Sequence, residues 1–560
     1  MLADLSAVAP GLLASGSLAP KFSLIAPEMV LFCGAVLAAI LGLSRSRSVR
    51  VATPWLALAT LGATLITTLW IWTPEAAAAA QLPMPMLGKY VIAMLCVVGA
   101  GHVMSSMGQI DRAYERQIAV GSASFDPVRI IQGEYYAFLL LSLCGAMLLC
   151  HATDLVWLFL AFELCSLPTY VLVAIGRTAD RSMEAAIKYF FLGAMSTATM
   201  LLGFAFLYGA TGTLELEPMR EAFQAQAQTT GIGSVAIVGI LLAVIGICFK
   251  LAAVPMHFYA PDVYEGAATP VAAFISFVPK VQGFVTLILL LGTVGWNSSG
   301  EPSLPPVIAA VLWMIAVLTM TLGNIGGLLQ GSTKRMLAYS SIANSGYMLV
   351  GVLGAPLIGI DAMLLYLLTY GVANLATFGA LAAVERNGAE VDSIDDLAGL
   401  RVRAPLAAVA LAIGALSLTG IPPLLGFWGK LGILMTTVQA HQKPLLVIVA
   451  LNSAIAAFYY LRLVAWPWVQ EPTPRTQGVT HTPGLWPRLS AIVFAVGCIV
   501  VPVAVGPCKD LAVQAARFQF QNAPAPAAAQ APASSNPANP AASEPSNAPA
   551  QTLSLSLRHR

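Results

Sequence analysis

Residues 245–280 read IGICFKLAAVPMHFYAPDVYEGAATPVAAFISFVPK, and the fold turns on how such a stretch can exist. An apolar run reaches Lys250 and meets Pro255 five residues later. A short polar segment with His257, Asp262 and Glu265 follows, then a second apolar run with Lys280 at its middle. Extended in both directions, each run reaches the ~20 apolar residues that a membrane-spanning helix needs. Proline removes a backbone N–H and clashes with the preceding turn, so the first helix breaks near Pro255. Irregular backbone at membrane depth is tolerated only where protein or water covers it. The stretch therefore predicts a broken helix inside a bundle, with two lysines beside it.

The rest of the chain agrees. Its 560 residues are 58% hydrophobic and only 10% charged. Ordinary soluble domains carry roughly 25% charged residues. Apolar segments centre near residues 33, 63, 98, 142, 164, 197, 245, 281, 316, 343, 372, 415, 455 and 496, which predicts an all-α membrane protein of about fourteen spans. Basic residues alternate with this count. One set of connections holds Arg45, Arg47, Arg50; Arg112, Arg116, Arg129; Arg177, Arg181; Lys334, Arg335; Arg386, Arg401, Arg403; Arg475 and Arg488. The others hold Lys89, Arg220 and Lys443. The positive-inside rule places the rich set in the cytoplasm and both termini outside.

The segment near 415 repeats the opening pattern: LSLTGIPPLLGFWGKLGIL has Pro422 and Pro423 ahead of Lys430. Two proline-broken helices, each with a lysine near the break, suggest an inverted repeat. Two stretches fall outside the bundle: a polar connection at 107–132, and an Ala/Pro/Ser/Asn-rich segment at 509–560 that reads as a disordered external tail. Met1 to Pro20 shows no basic stretch before its apolar residues, which argues against a cleaved signal peptide.

Five ionisable residues sit within apolar runs. Glu163 lies mid-way in DLVWLFLAFELCSLPTYVLVAIG, Lys188 in the sixth segment, and Lys250, Lys280 and Lys430 in the seventh, eighth and twelfth. A charge at the bilayer centre costs at least ~2.5–3.5 kcal/mol, so these groups must face one another or a hydrated cavity. Lysine can exchange its proton when burial and a nearby carboxylate balance, whereas arginine stays protonated. The deep cations are all lysine, and the cytoplasmic loops favour arginine. The bland alternatives are snorkelling, most plausible for Lys188, and a packing salt bridge for Glu163. Tyr366, Tyr370 and Asn374, at i, i+4, i+8, share one helix face and are relay candidates. His257, with Asp262 and Glu265, is a candidate at a cytoplasmic entry. Ser340, Ser341, Asn344, Ser345 and Tyr347 line the tenth segment, with Asn324 and Gln330 nearby.

Eight cysteines are present without a C-x-x-C pair, and no Walker loop or strand-borne G-x-G-x-x-G appears. No metal site and no bound cofactor is expected on this chain, and nothing points to nucleic acid.

The run KLAAVPMHFYAPDVYEGAATPVAAFISFVPK, with AAIKYFFLGAMSTA, STKRMLAYSSIANSGYMLVG and GIPPLLGFWGK, resembles the antiporter-like membrane subunits of respiratory complex I, and among them the N-type subunits. The likeness spans about residues 20–505. It implies an N-terminal three-helix segment with its polar loop (1–132), two inverted five-helix repeats (133–293 and 305–467) and a last helix (486–506). It implies proton transfer through Glu163, Lys250, Lys280 and Lys430, with Lys188 a further matching lysine. It also implies other membrane-arm subunits and lipid as partners, a bacterial inner-membrane location, and FMN, Fe–S clusters and quinone on other subunits. Tyr366, Tyr370 and Asn374 stand where L- and M-like subunits and cation/proton antiporters carry histidines. Asn344 stands where many relatives have His or Gln, and the 107–132 connection and the tail depart from the usual short forms. Two other readings are a Mrp-type cation/proton antiporter and a structural spacer of the membrane arm.

Overall fold

A computed structural model describes residues 23–518, apart from 177–179, 230, 295–303 and 355–358. The chain is helical nearly throughout. The apolar helices are α1 (Ala26–Gly42), α2 (Thr53–Ile71), α3 (Leu87–Ser106), α4 (Gln132–Leu148), α5 (Leu155–Ile175), α6 (Asp180–Thr211), α7 (Ser234–Leu251) and α8 (Thr269–Gly292). They continue as α9 (Pro306–Leu328), α10 (Thr333–Leu353), α11 (Ile360–Ala382), α12 (Pro405–Thr419), α13 (Leu425–Gln439), α14 (Lys443–Trp468) and α15 (Trp486–Val500). Among the described residues twelve helices are long and apolar enough to cross a membrane. The expected centres near 33 and 415 fall on the two shorter apolar helices α1 and α12.

Local sequence explains the helix starts. Proline occupies the first turn of α1, α2, α8, α9, α12, α14 and α15, where its missing N–H costs nothing. Asp154 caps α5 by accepting from the Trp157 N–H at 2.7 Å. Lipid supplies no hydrophobic drive between helices, so close contact relies on small residues. A Cβ on Gly203 of α6 would stand 2.6 Å from the Ala243 nitrogen of α7, which keeps these two helices backbone to backbone. At the centre lies α8, buried along its whole length, with α10 and α11 almost as enclosed.

Both predicted breaks are present. α7 ends at Leu251, with Ala252 in the left-handed region (φ 51°), and a non-helical segment leads to the short helix Ala260–Gly266. α12 ends at Thr419, Gly420 takes φ 88°, and α13 begins only at Leu425.

The arginine-rich connections join into one polar layer. Strands β1 (Val384–Arg386), β2 (Ala389–Glu390) and β3 (Val479–His481) form an antiparallel sheet in the order β2-β1-β3, with Glu385 opposite Glu390 and Thr480. Glu385 pairs with Arg112 at 2.7 Å. Glu390 accepts from the Thr269 N–H at 3.0 Å and from Lys334 at 3.2 Å.

The 107–132 connection is held to this layer. It forms a helix, Arg112–Val120, whose Glu115 takes two hydrogen bonds from buried Arg50, at 2.9 and 2.6 Å. Arg50 also donates to the Ser44 and Arg45 carbonyls at 2.8 Å. Asp111 accepts from the Ile131 and Gln132 N–H groups, both at 2.8 Å, and so clamps the start of α4. Removing one member of a buried pair costs about 3–5 kcal/mol. Arg50→Ala is expected to loosen this connection by that order, read as faster amide exchange across residues 107–132. Unchanged exchange there would refute the clamp.

The disordered tail expected from residue 509 does not begin there. Helix Val505–Ala515 runs through that point, and Ala512, Ala515 and Phe518 are buried. Phe518 covers Gly292 at the end of α8, where a Cβ would meet its ring at 2.6 Å. The buried Ala512, Ala515 and Phe518 recur every three residues, a spacing that the surrounding Ala-rich composition masks. Residues 1–22 and 519–560 lie outside the described residues.

Candidate functional site

Lys250 is the last cation of α7 and is 2% exposed. Its Nζ donates to the Tyr170 hydroxyl of α5 at 2.9 Å. Four rings surround it, with centroids at 4.6 Å (Tyr170), 5.3 Å (Phe249), 5.6 Å (Tyr189) and 5.8 Å (Phe162). Desolvated cation–π contacts are worth up to about 2 kcal/mol, which offsets part of the cost of burying the ammonium. Glu163, the expected partner, is half-buried and accepts from Thr197 of α6 at 2.8 Å. Among the described residues it makes no ion pair with Lys250.

Lys280, 1% exposed, uses the break itself. Its Nζ donates to the Leu251 carbonyl at 3.1 Å, the Ser341 carbonyl at 2.8 Å and the Ser345 hydroxyl. Leu251 is the last residue of α7, so its carbonyl is freed by the break and carries the negative end of the helix dipole. Lys430, 8% exposed, repeats the arrangement: its Nζ donates to Thr419 O, the last carbonyl of α12, at 2.8 Å. A Cβ on Gly420 would stand 2.8 Å from the Lys430 Cδ, so glycine serves both the left-handed turn and the lysine's path back to that carbonyl. Each broken helix thus ends on a carbonyl held by a buried lysine.

Between Lys280 and Lys430 lie several hydrogen-bonded groups of polar side chains. Tyr370 and Tyr264 both meet the Ser341 hydroxyl at 3.0 Å. Tyr366 donates to Asn344 Oδ1 at 2.6 Å, and Asn344 Nδ2 donates to Tyr460 at 3.1 Å. Asn324 bonds Tyr347, Asn452 and Tyr459 at 2.9–3.0 Å. The Tyr347 ring lies 5.3 Å from Lys430 Nζ. Asn374 points to the other side of Lys280 and donates to Ser276, one turn before it on α8, at 2.6 Å. The three residues picked from one face of α11 therefore all reach α8 or α10.

Lys188 stands apart. It is 41% exposed and pairs with Glu184 at 2.7 Å and Asp262 at 3.0 Å. Asp262 also meets Arg335 at 2.8 Å, and Glu265 meets Arg335 at 2.9 Å. Partial burial raises the Asp262 carboxyl, but the Arg335 and Lys188 bonds outweigh it and hold the group below its ordinary range. Together these residues form a charged cluster beside the broken helix. His257 lies in the connecting segment, half-buried, with Nδ1 lacking a hydrogen-bond partner among the described residues.

Sequence reading missed Tyr170, Tyr264, Asn452, Tyr459 and Tyr460, and two buried groups elsewhere. Glu28 pairs with His151 at 2.9 Å, and His102 is enclosed beside Phe274. Among the described residues no three His, Cys, Asp or Glu side chains are grouped to hold a metal ion.

The comparisons agree on the family. Residues 152–456 match the family model described as NADH:quinone oxidoreductase/Mrp antiporter, TM. The chain is 34% identical over 512 residues to NADH-quinone oxidoreductase subunit N 1 of Rhizobium meliloti, covering 90% of this chain and 99% of that one. It is 42% identical over 353 residues to subunit N 1 of Sorangium cellulosum, covering 62% of this chain and 69% of that one. Among solved structures it is similar to a chain of respiratory complex I from Thermus thermophilus, with TM-score 0.68, 28% identity, and 87% and 99% of the two chains covered. A chain of the Mrp complex from Dietzia sp. DQ12-45-1b has the same fold, with TM-score 0.70, 20% identity, and 89% and 96% covered. The chain belongs to the antiporter-like membrane subunits of NADH-quinone oxidoreductase, and within them to the subunit N family.

Proposed function

We propose that this chain translocates protons within a proton-pumping NADH:quinone oxidoreductase, with electron transfer and its FMN, Fe–S and quinone cofactors on other subunits. The observation that carries this reading is the repeated lysine-on-helix-end arrangement, with hydrogen-bonded polar groups spaced between the two lysines. A proton enters at the charged mouth formed by Lys188, Asp262, Glu265 and Arg335. It reaches Lys250 and Lys280 beside the broken α7, and passes through Ser341, Tyr370, Tyr366, Asn344 and Tyr460 toward Lys430. Each lysine can hold a proton on a helix-end carbonyl or a tyrosine hydroxyl and hand it on through bound water. Glu163 acts on Lys250 through the intervening shell, and quinone reduction elsewhere shifts that balance. The arginine-rich layer faces the cytoplasm and both termini face outward, in a bacterial inner membrane. Residues 133–293 and 305–467 form the two inverted halves.

The test is Lys430→Ala in the intact complex. NADH-driven proton uptake by membrane vesicles is expected to fall several-fold, with NADH oxidation retained when the vesicles are uncoupled. Normal uptake at full assembly would sink the proposal. Sodium-dependent uptake by the chain alone in proteoliposomes would support the Mrp-type alternative.

A further inference from the structure

We propose that Glu28 and His151 form a proton-holding dyad through which protons leave the first half of the bundle, an inference that rests on the function proposed above. His151 Nε2 lies 2.9 Å from Glu28 Oε1, and the residues are 7% and 1% exposed. The pair joins two helix ends. Glu28 sits in the first turn of α1, where free N–H groups favour a carboxylate. His151 closes the turn Leu149–His151 after α4, where free carbonyls favour an imidazolium. α1 and α4 pack along their length, with Gly42 against Gly133 at the polar-layer end and the dyad at the opposite end. Two helix termini therefore stand in for water around the pair.

The other Glu28 oxygen, Oε2, is buried with no hydrogen-bond partner among the described residues. A buried carboxylate oxygen requires a proton or a water, so this side of the pair is chemically open. Loading adds one proton to the neutral imidazole beside the carboxylate; release returns it to water, and no electrons move. Cys144 donates to the Glu28 carbonyl at 3.6 Å, and Cys96 of α3 and Cys150 lie within electrostatic reach of the carboxylate. The Trp72 ring, 5.1 Å from that of His151, screens the pair.

Polar groups extend from Lys250 along α8 toward this end of the bundle as far as Thr286, with apolar side chains of α8 between Thr286 and the pair. The Lys250 acceptor Tyr170 lies one turn from Ser166 on α5, and Ser166 accepts from Gln282 Nε2 of α8 at 3.1 Å. Gln282 Oε1 is buried without a partner among the described residues. One turn on, Thr286 donates to the Gln282 carbonyl at 2.9 Å, and α8 continues to pack against the Leu149–His151 turn. The dyad lies outside the residues matched by the family model.

The experiment uses the intact complex in proteoliposomes carrying Glu28→Gln or His151→Gln. Protons moved per NADH oxidised and the dependence of that ratio on external pH are the readouts. Glutamine fills the glutamate's volume and can still bond His151, so a packing role predicts no change in either. The proposal expects partial loss of the ratio and a flattened external-pH profile in both variants. If Glu28→Gln fails to assemble, Glu28→Asp replaces it, with a shifted external-pH profile expected; an unshifted profile overturns the dyad. Normal pumping by Lys430→Ala would overturn the function itself. Failure of Lys430→Ala beside unchanged dyad variants would overturn the dyad alone.

Discussion

Lys280→Ala is expected to abolish NADH-driven proton uptake while leaving an assembled complex that still oxidises NADH when uncoupled. Lys280 lies on α8, which is enclosed throughout, and it ties two helices together: Leu251 O belongs to α7, Ser341 and Ser345 to α10. Alanine leaves these acceptors without the ammonium. An unsatisfied buried acceptor costs about 1–3 kcal/mol, but the Ser345 hydroxyl already donates to Leu251 O and limits the loss. The bundle should therefore survive a change that interrupts the path. Lys280→Arg separates charge from proton exchange. A guanidinium keeps the positive charge but does not give up its proton near neutral pH, so uptake should fail there too. If Lys280→Arg pumps normally, Lys280 supplies a field and not a proton site.

Much of this was legible in the chain. Apolar spacing located the helices, and Pro255 and Pro422–Pro423 located both breaks, because the missing N–H and the ring clash are local facts. Lys250, Lys280 and Lys430 stood out since their solvation cost is independent of the fold. Their acceptors were hidden. Leu251 O and Thr419 O are backbone atoms at helix ends, present at every helix end and silent in sequence. Tyr170 and Tyr460 read as ordinary aromatic residues until α5 and α14 are placed beside α7 and α10. The surroundings of Lys188 were hidden as well. α6 has 32 residues, about 48 Å at 1.5 Å each, against a hydrocarbon core of about 30 Å. A helix of that length has room for polar turns as well as a span, and Lys188 meets Glu184 and Asp262. Glu28 escaped because a carboxylate in a first helical turn is commonplace, and its partner lies 123 residues away.

Lys250→Ala is expected to remove most coupled proton uptake, and comparison with Tyr170→Phe shows how. In Lys250→Ala the proton-carrying group is gone, while the four rings and the Glu163–Thr197 bond remain. Tyr170→Phe keeps the ring face 4.6 Å from the ammonium but deletes the hydroxyl that accepts from it. A hydrogen bond to a charged group contributes about 1.5–3 kcal/mol, so the lysine should bind its proton less firmly and uptake should fall only in part. Glu163→Gln removes the nearby negative charge without touching either contact of Lys250. If the carboxylate works through its field, that variant should also slow uptake, and Glu163→Gln with Tyr170→Phe should be worse than either change alone. Uptake in Glu163→Gln equal to the unmodified complex would leave Glu163 a packing residue, with Tyr170 as the group that sets the lysine's proton affinity.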